Sequence, residues 1–385
     1  MNNCENFELF RKNYNHIYLY GAGNICKYFL NWFGVQFIKE HITAIFVTET
    51  LNNDSSIMGI PVIGFDRKIL MDDDAVIITV RDADSICRVL DEQKVENFLM
   101  YSEVVPDEVI FSRTEIKNWN EKVLEYINHF FSERPLFKYI EIETINRCNG
   151  ECSFCPVNKN MKQRVYHKMT SELFRNIVDQ LAEIQYKGLL ALFSNNEPFL
   201  DDRLEGFAQY ARNKLPGAYI YIYTNGSILN GERVRNIMNY LDYMQIDNYN
   251  PKCEKPKSIH EAEQVMFENG FGNKYNYFEI EKDAIRFSRG GKSPNSSVHY
   301  SLEAQCCLPF VQMVIRPVGK VSLCCNDALG ENTLGDLTKE KMVDVWNGSK
   351  YDEIRKRITM GRYNLSSCRY CNYIDKREMW GNGSM

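Results

Sequence analysis

Short uninterrupted apolar runs open the chain: His16 to Tyr20, Ile42 to Val47 and Ala75 to Val80. Their length and continuity predict strands covered on both faces. Between the first two, Ile25, Tyr28, Phe29, Trp32 and Phe33 recur at spacings of three and four, which places them on one face of a helix. Asp84 is positioned to cap a further helix bearing Ile86, Val89 and Leu90. Strands and helices alternating in this way predict a small open α/β domain over residues 1–110. Thr114 to Arg134, rich in charges and aromatics, predicts a linking helix within residues 111–135, stopped by Pro135.

A second pattern begins at Lys138. Strand-like runs end in polar motifs: Tyr139 to Thr144 before three cysteines, Leu189 to Phe193 before Ser194-Asn-Asn-Glu-Pro198, Tyr219 to Tyr223 before Thr224-Asn-Gly226, and Met244 to Ile246 before Asp247-Asn-Tyr249. Helical stretches separate them: Ser171 to Tyr186, Leu204 to Lys214 and Glu232 to Tyr240. Repeated strand-helix units with chemistry at each strand's carboxyl end describe a partial barrel, here over residues 136–300. Residues 301–385 follow as a cysteine-rich extension.

The 385 residues are 44% hydrophobic, with 46 Lys plus Arg against 51 Asp plus Glu, a net charge of -5. Such a composition fits folded domains and argues against coating of nucleic acid. The acidity is local: residues 1–110 carry -8 and the rest +3. No apolar run approaches the length of a membrane span, and the N-terminal MNNCENFELFRKNY lacks the apolar core of a signal peptide. The expectation is a soluble cytoplasmic protein with neither membrane nor nucleic acid as partner.

Thirteen cysteines in such a chain argue for reduced thiols and metal ligation rather than a disulfide framework. Cys4, Cys26, Cys87 and Cys253 are scattered. Cys148-x3-Cys152-x2-Cys155 follows a strand, with Phe154 before its last cysteine and Pro156 after it. A structural zinc site uses four protein ligands, so three cysteines in one loop leave a position open. A four-iron cluster on three thiolates has one iron free for a small molecule. A zinc knuckle with a distant fourth ligand is the alternative.

The triplet and the strand-end motifs resemble the radical S-adenosylmethionine (radical SAM) superfamily. The resemblance implies that Cys148, Cys152 and Cys155 hold a [4Fe-4S] cluster that binds AdoMet, which a single electron cleaves to a 5′-deoxyadenosyl radical. A reductant such as flavodoxin or ferredoxin is implied with it. Asn195-Asn-Glu-Pro198 lies where the family places a Gly-Gly-Glu-Pro-like segment gripping the methionine amino group; both glycines are asparagines, so Glu197 and Pro198 carry over most directly, with Asn196 beside them. A carboxylate suits an ammonium donor. By the same resemblance Asn225 faces the ribose and Phe154 the adenine; Arg286, Arg289 and Gly290-Gly291 are weaker candidates for approaching AdoMet.

Cys306-Cys307 before Pro309, Gly319-x4-Cys324, Leu334-Gly-Asp336, Val345-Trp-Asn347 and Cys368-x2-Cys371 resemble the SPASM or twitch extension of these enzymes, which holds an auxiliary [4Fe-4S] cluster. Adjacent side chains on a strand point to opposite faces, so only one of Cys306/Cys307 and one of Cys324/Cys325 is expected to face the metal. Family placement relative to proline and glycine favours Cys306 and Cys324, to be joined by Cys368 and Cys371. Four thiolates leave no open iron, which suits electron transfer; a Cys4 zinc site is the alternative. The expected fold class is thus α/β: a partial (β/α)6 TIM-like barrel, a SPASM-like extension and a Rossmann-like N-terminal sheet.

Gly21-Ala-Gly23-x-x-Cys26 is two-thirds of a dinucleotide fingerprint, and Glu49 near the end of the second strand is placed as a ribose-binding acid. Nucleotide binding through Gly21 and Gly23 and ligand-free docking are both open. Ile42 to Val47 through Met58 to Val62 resembles small Rossmann-like domains of bacterial glycan-assembly enzymes, which implies a sugar-like or glycan-precursor substrate, oxidised or epimerised. Epimerisation needs a hydrogen donor, for which Cys253 is a candidate. A peptide-modifying maturase and a zinc-stabilised nucleotide-binding protein are the other readings.

Overall fold

A computed structural model describes residues 7, 11–23, 26, 29–30, 33, 35–50, 53–80, 83–101, 113–159, 164–249, 255–280, 286–295, 302 and 304–375. Cys4, Ile25, Tyr28, Trp32 and Cys253 lie outside them. The chain divides into two compact units, residues 1–118 and 119–385.

The first unit is built on β1 (Ile17–Tyr20), β2 (Ala44–Val47), β3 (Ser56–Ile57), β4 (Ile60–Gly64), β5 (Ala75–Ile78) and β6 (Phe98–Met100), in the order β3-β4-β2-β1-β5-β6. All neighbours are parallel except the β3–β4 hairpin. Every residue of β1, β2 and β5 is buried, as their continuous apolar runs predict. Tyr18 stacks on Phe46 with centroids 4.8 Å apart, and Phe29 and Phe33 meet at 5.2 Å on the buried helical face. Helix α1 (Asp84–Glu92) differs in detail from expectation. Its N-cap is Ala83, which makes no side-chain cap bond, and Asp84 sits in the first turn, where its charge still favours the helix dipole.

Helix α2 (Arg113–Glu133) leads to the second unit. Its sheet comprises β7 (Tyr139–Ile142), β8 (Leu189–Ala191), β9 (Tyr219–Thr224), β10 (Tyr243–Asn248), β11 (Tyr275–Glu279), β12 (Gln312–Ile315), β13 (Lys320–Ser322) and β14 (Thr333–Asp336), in the order β11-β10-β9-β8-β7-β12-β13-β14. Strands β11 through β12 in that order are parallel; β13 and β14 continue antiparallel. This is a partial TIM-like barrel with an extension. The sixth parallel strand does not follow the fifth in space. Instead β12 pairs with the free edge of β7 and carries the antiparallel hairpin outward.

Helices α3 (Ser171–Glu183), α4 (Leu204–Lys214), α5 (Gly231–Ile237) and α6 (Lys257–Glu268) alternate with the strands. Thr170 and Asn230 cap α3 and α5 by accepting from Leu173 and Arg233 N–H. Phe174 of α3 stacks on Phe207 of α4 at 4.1 Å. On β9, Ile220 and Ile222 are fully buried in this helix-covered core, while the alternate residues Tyr219 and Tyr223 are half-buried on the opposite face. In α7 (Ser349–Thr359), Arg355 is fully buried against Phe130, Trp346 and Tyr351, and Trp346 Nε1 donates to Pro135 O. That packing fixes the extension to the barrel. Among the described residues, no helix is long and apolar enough to cross a membrane.

Candidate functional site

Because β7 to β10 are parallel, the motifs after them gather at one end of the barrel. Cys148, Cys152 and Cys155 lie in the loop after β7 and stop at the short helix Pro156–Lys159. Gly150 donates its N–H to Cys148 Sγ at 3.3 Å. A Cβ at Gly150 would lie 3.4 Å from Cys148 Sγ and 3.7 Å from Cys152 Sγ, so glycine keeps the space between these sulfurs clear. Burial pushes the Cys148 thiol up to about 12. A metal binding there must therefore displace protons.

The neighbouring loops are tied to this one. Glu197 N–H donates to Arg147 O, and Asn225 Nδ2 donates to Asn149 Oδ1, both at 2.9 Å. Glu197 is 1% exposed. Its Oε1 accepts from Thr224 Oγ1 and Phe199 N–H, and its Oε2 from Asn225 N–H. Burial outweighs these bonds and pushes the carboxyl up to about 7. Asn196 Oδ1 accepts from Ser194 N–H, while its Nδ2 is buried without a hydrogen-bond partner among the described residues. Phe154 packs edge-on against Tyr249 at 5.5 Å, with the Arg286 guanidinium 5.8 Å from its ring. Tyr249 in turn donates to Asp247, whose carboxyl burial pushes up.

A second site lies in the extension. Cys306, Cys324, Cys368 and Cys371 line one cavity, together with Asp327 and Arg362. Cys307 and Cys325 are not in its lining. Strand alternation is not the reason, since neither pair lies on a strand: Cys307 is the N-cap of Leu308–Val311, and Cys325 follows β13 in a turn. Cys325 is instead drawn toward the barrel, its carbonyl accepting from Asn195 Nδ2 at 3.0 Å and Arg289 Nη1 at 3.2 Å. The four sulfurs surround a volume rather than one point; among the described residues no three His, Cys, Asp or Glu side chains are gathered to hold a single ion.

Residues 286–295 join the two sites. Ser293 Oγ donates to Phe154 O at 2.7 Å, and Asn295 Nδ2 to Ser153 Oγ at 3.1 Å, within the first cysteine loop. Ser288 Oγ donates to Tyr370 O at 2.5 Å, and Ser288 and Asn372 exchange two further bonds, at the last cysteine pair.

The model of the radical SAM superfamily matches residues 142–260, and that of the SPASM iron-sulfur cluster-binding domain matches residues 306–372. The chain contains a radical SAM domain followed by a SPASM domain. Its cofactors are accordingly a [4Fe-4S] cluster with AdoMet and an auxiliary iron-sulfur cluster. The S-adenosyl-L-methionine-dependent 2-deoxy-scyllo-inosamine dehydrogenase of Niallia circulans is 24% identical over 241 residues, 62% of this chain and 94% of that protein. The crystal structure of BtrN in complex with AdoMet and 2-DOIA shares the fold, with a TM-score of 0.54 and 23% identity over 62% of this chain and 94% of that one. Native anSMEcpe with bound AdoMet and Cp18Cys peptide has a TM-score of 0.41 and 14% identity, over 60% and 88% of the two chains.

Within the radical SAM domain, Asn225 does not project alone: its Oδ1 accepts from Ser227 N–H and Oγ. Sequence reading passed over Ser288, Ser293 and Arg362. Serines bonding carbonyls and an arginine bonding carbonyls leave no spacing pattern. In the N-terminal unit, Gly21 and Glu49 line a separate cavity at the ends of β1 and β2, and Gly23 stands two residues beyond Gly21.

Proposed function

We propose that the chain is an AdoMet-dependent radical oxidoreductase acting on a carbon of a sugar-like alcohol or glycan precursor. Cys148, Cys152 and Cys155 would hold the catalytic cluster, and Cys306, Cys324, Cys368 and Cys371 the auxiliary one. When bound and reduced, the catalytic cluster and AdoMet supply a 5′-deoxyadenosyl radical that abstracts hydrogen. Asn196 Nδ2, buried without a hydrogen-bond partner among the described residues, is suited to donate to the AdoMet carboxylate, and the remaining lone pair of ionised Glu197 Oε2 to accept from its ammonium. Phe154, packed edge-on against Tyr249, is suited to exclude water from the cluster loop.

One observation carries the reading: a single segment hydrogen-bonds both cysteine loops, a link suited to two centres that serve one reaction. Oxidation of an alcohol releases an electron that a fully thiolate-ligated second cluster is suited to accept. The barrel face supports a polyol. Phe193 and Tyr223 stack at 4.7 Å beside Tyr221, and Gln245 and Asp247 follow on the next strand; aromatic faces with hydroxyl, amide and carboxylate edges match a saturated ring bearing hydroxyls. The dehydrogenase of Niallia circulans acts on such a cyclitol by name. Flavodoxin or ferredoxin would serve as reductant.

Anaerobically reconstituted protein should be incubated with AdoMet, reductant and aminocyclitols or sugars deuterated at each carbinol carbon. Transfer of deuterium into 5′-deoxyadenosine with formation of a ketone supports oxidation. Inversion with solvent hydrogen at carbon would redirect the reading to epimerisation, and zinc without iron would overturn it.

A further inference from the structure

The N-terminal unit holds a cavity of about 370 Å³. It opens at the carboxyl ends of β1, β2 and β5, where Tyr20, Gly21, Thr48, Glu49, Asn53 and Val80 line it. The chain passes from β1 to β2 on one side and later returns to β5 on the other, so strand order reverses at β1 and β5. The connecting loops diverge at such a point, and open parallel sheets bind ligands in the crevice left there.

The two glycines after β1 stand in different surroundings. Gly21 has φ +114°, and a Cβ on it would lie 2.1 Å from Val80 Cγ1 and 3.0 Å from Thr79 O; packing alone demands glycine. Thr79 Oγ1 fixes that turn by donating to the carbonyls of Tyr20 and Gly21 at 3.2 and 2.8 Å. Among the described residues a Cβ on Gly23 would meet nothing within 4 Å, and the residue needs no left-handed backbone. The described neighbours do not account for its glycine, whereas a ligand lying close over the backbone would. Across the crevice, the exposed carboxylate of Glu49 can accept both hydrogens of a vicinal diol. The described lining contains no Lys or Arg. Among the described residues phosphates would be met by backbone N–H groups, and an extra phosphate beside Glu49 would be repelled.

We propose that this crevice binds the nucleoside diphosphate portion of a ligand, its free ribose diol on Glu49 and its diphosphate over the Gly21–Gly23 turn. Its described lining lies wholly within the first unit.

Equilibrium dialysis of the full-length protein against ADP, UDP, NAD+, NADP+ and UDP-glucose tests this. Binding of at least one probe is expected, with NAD+ at least tenfold tighter than NADP+ if the dinucleotide is the ligand, and UDP-glucose tighter than UDP if a nucleotide sugar is. Excess AdoMet should not displace it. Gly23→Ala, whose methyl meets no described atom, and Glu49→Gln should each weaken binding about tenfold with an unchanged melting temperature. Absence of binding to every probe, displacement by AdoMet, or full affinity in the Gly23→Ala protein would each overturn the proposal. Loss of the cluster through a triple Cys148/Cys152/Cys155 to Ala substitution should leave the binding intact.

Discussion

Ser293 donates its backbone N–H to the carbonyl of Ser288 at 2.9 Å. The two serines thus stand side by side, and their hydroxyls reach in different directions, one to Phe154 O in the first cysteine loop and one to Tyr370 O in the last. Between them Arg289, Gly290 and Gly291 all have positive φ, at 50°, 65° and 82°. This left-handed run is the turn that lets one short segment serve both loops.

Gly290→Ala tests that turn. A Cβ at Gly290 would lie 2.5 Å from Ser367 O, next to Cys368, so the last cysteine loop must move. The variant should lose the auxiliary cluster while keeping the catalytic one, falling from about eight irons per chain to about four. Gly206→Ala in α4, where a Cβ meets nothing, serves as control and should be neutral or slightly stabilising. Iron analysis with Mössbauer spectroscopy reads the result, and unchanged iron in Gly290→Ala would contradict the structure.

Arg362 is 2% exposed and lines the cavity of the four cysteines, donating to the carbonyls of Ala304, Cys371 and Gln305 at 2.7, 3.0 and 3.3 Å. Its buried positive charge favours an added electron in that cavity. Arg362→Met should make the auxiliary reduction potential more negative, and Arg362→Lys should restore part of the difference. A redox titration followed by EPR measures both. The same potential in all three proteins, with the cluster retained, would contradict the role.

Glu197 gives a pH signature. Its folded pKa of about 7 stands above the ordinary 4.5 because burial penalises the charged form. The folded protein therefore holds a proton that the unfolded chain has released, and stability from this group falls as pH rises from about 4.5 through about 7, by on the order of 3 kcal/mol. Urea unfolding of the metal-free protein across that range should show the decline. Glu197→Gln should flatten it, while lowering stability at the acid end by roughly 1–3 kcal/mol through the lost bond to Asn225 N–H. An equal slope in both proteins would refute the assignment.

The strands were legible because buried parallel strands are written as continuous apolar runs; β1, β2, β5 and β7 begin within two residues of where those runs place them. The position of β12 was not legible, since its parallel partner β7 lies some 170 residues earlier and nothing local encodes that edge. Cys306 and Cys324 line the cavity with Cys368 and Cys371, but the strand alternation expected to separate each pair is absent, since neither pair lies on a strand: Cys307 caps a short helix, and Asn195 and Arg289 hold the carbonyl of Cys325. The serine bridge and Arg362 act through main-chain carbonyls, which every residue has, so no side-chain pattern announces them.

The most direct test of the central claim is release of 5′-deoxyadenosine by the anaerobically reconstituted full-length protein given AdoMet and a low-potential reductant. The account predicts time-dependent release that disappears when Cys148, Cys152 and Cys155 are replaced by Ala. Iron-loaded protein that releases none, or a triple variant that releases as much, would contradict it.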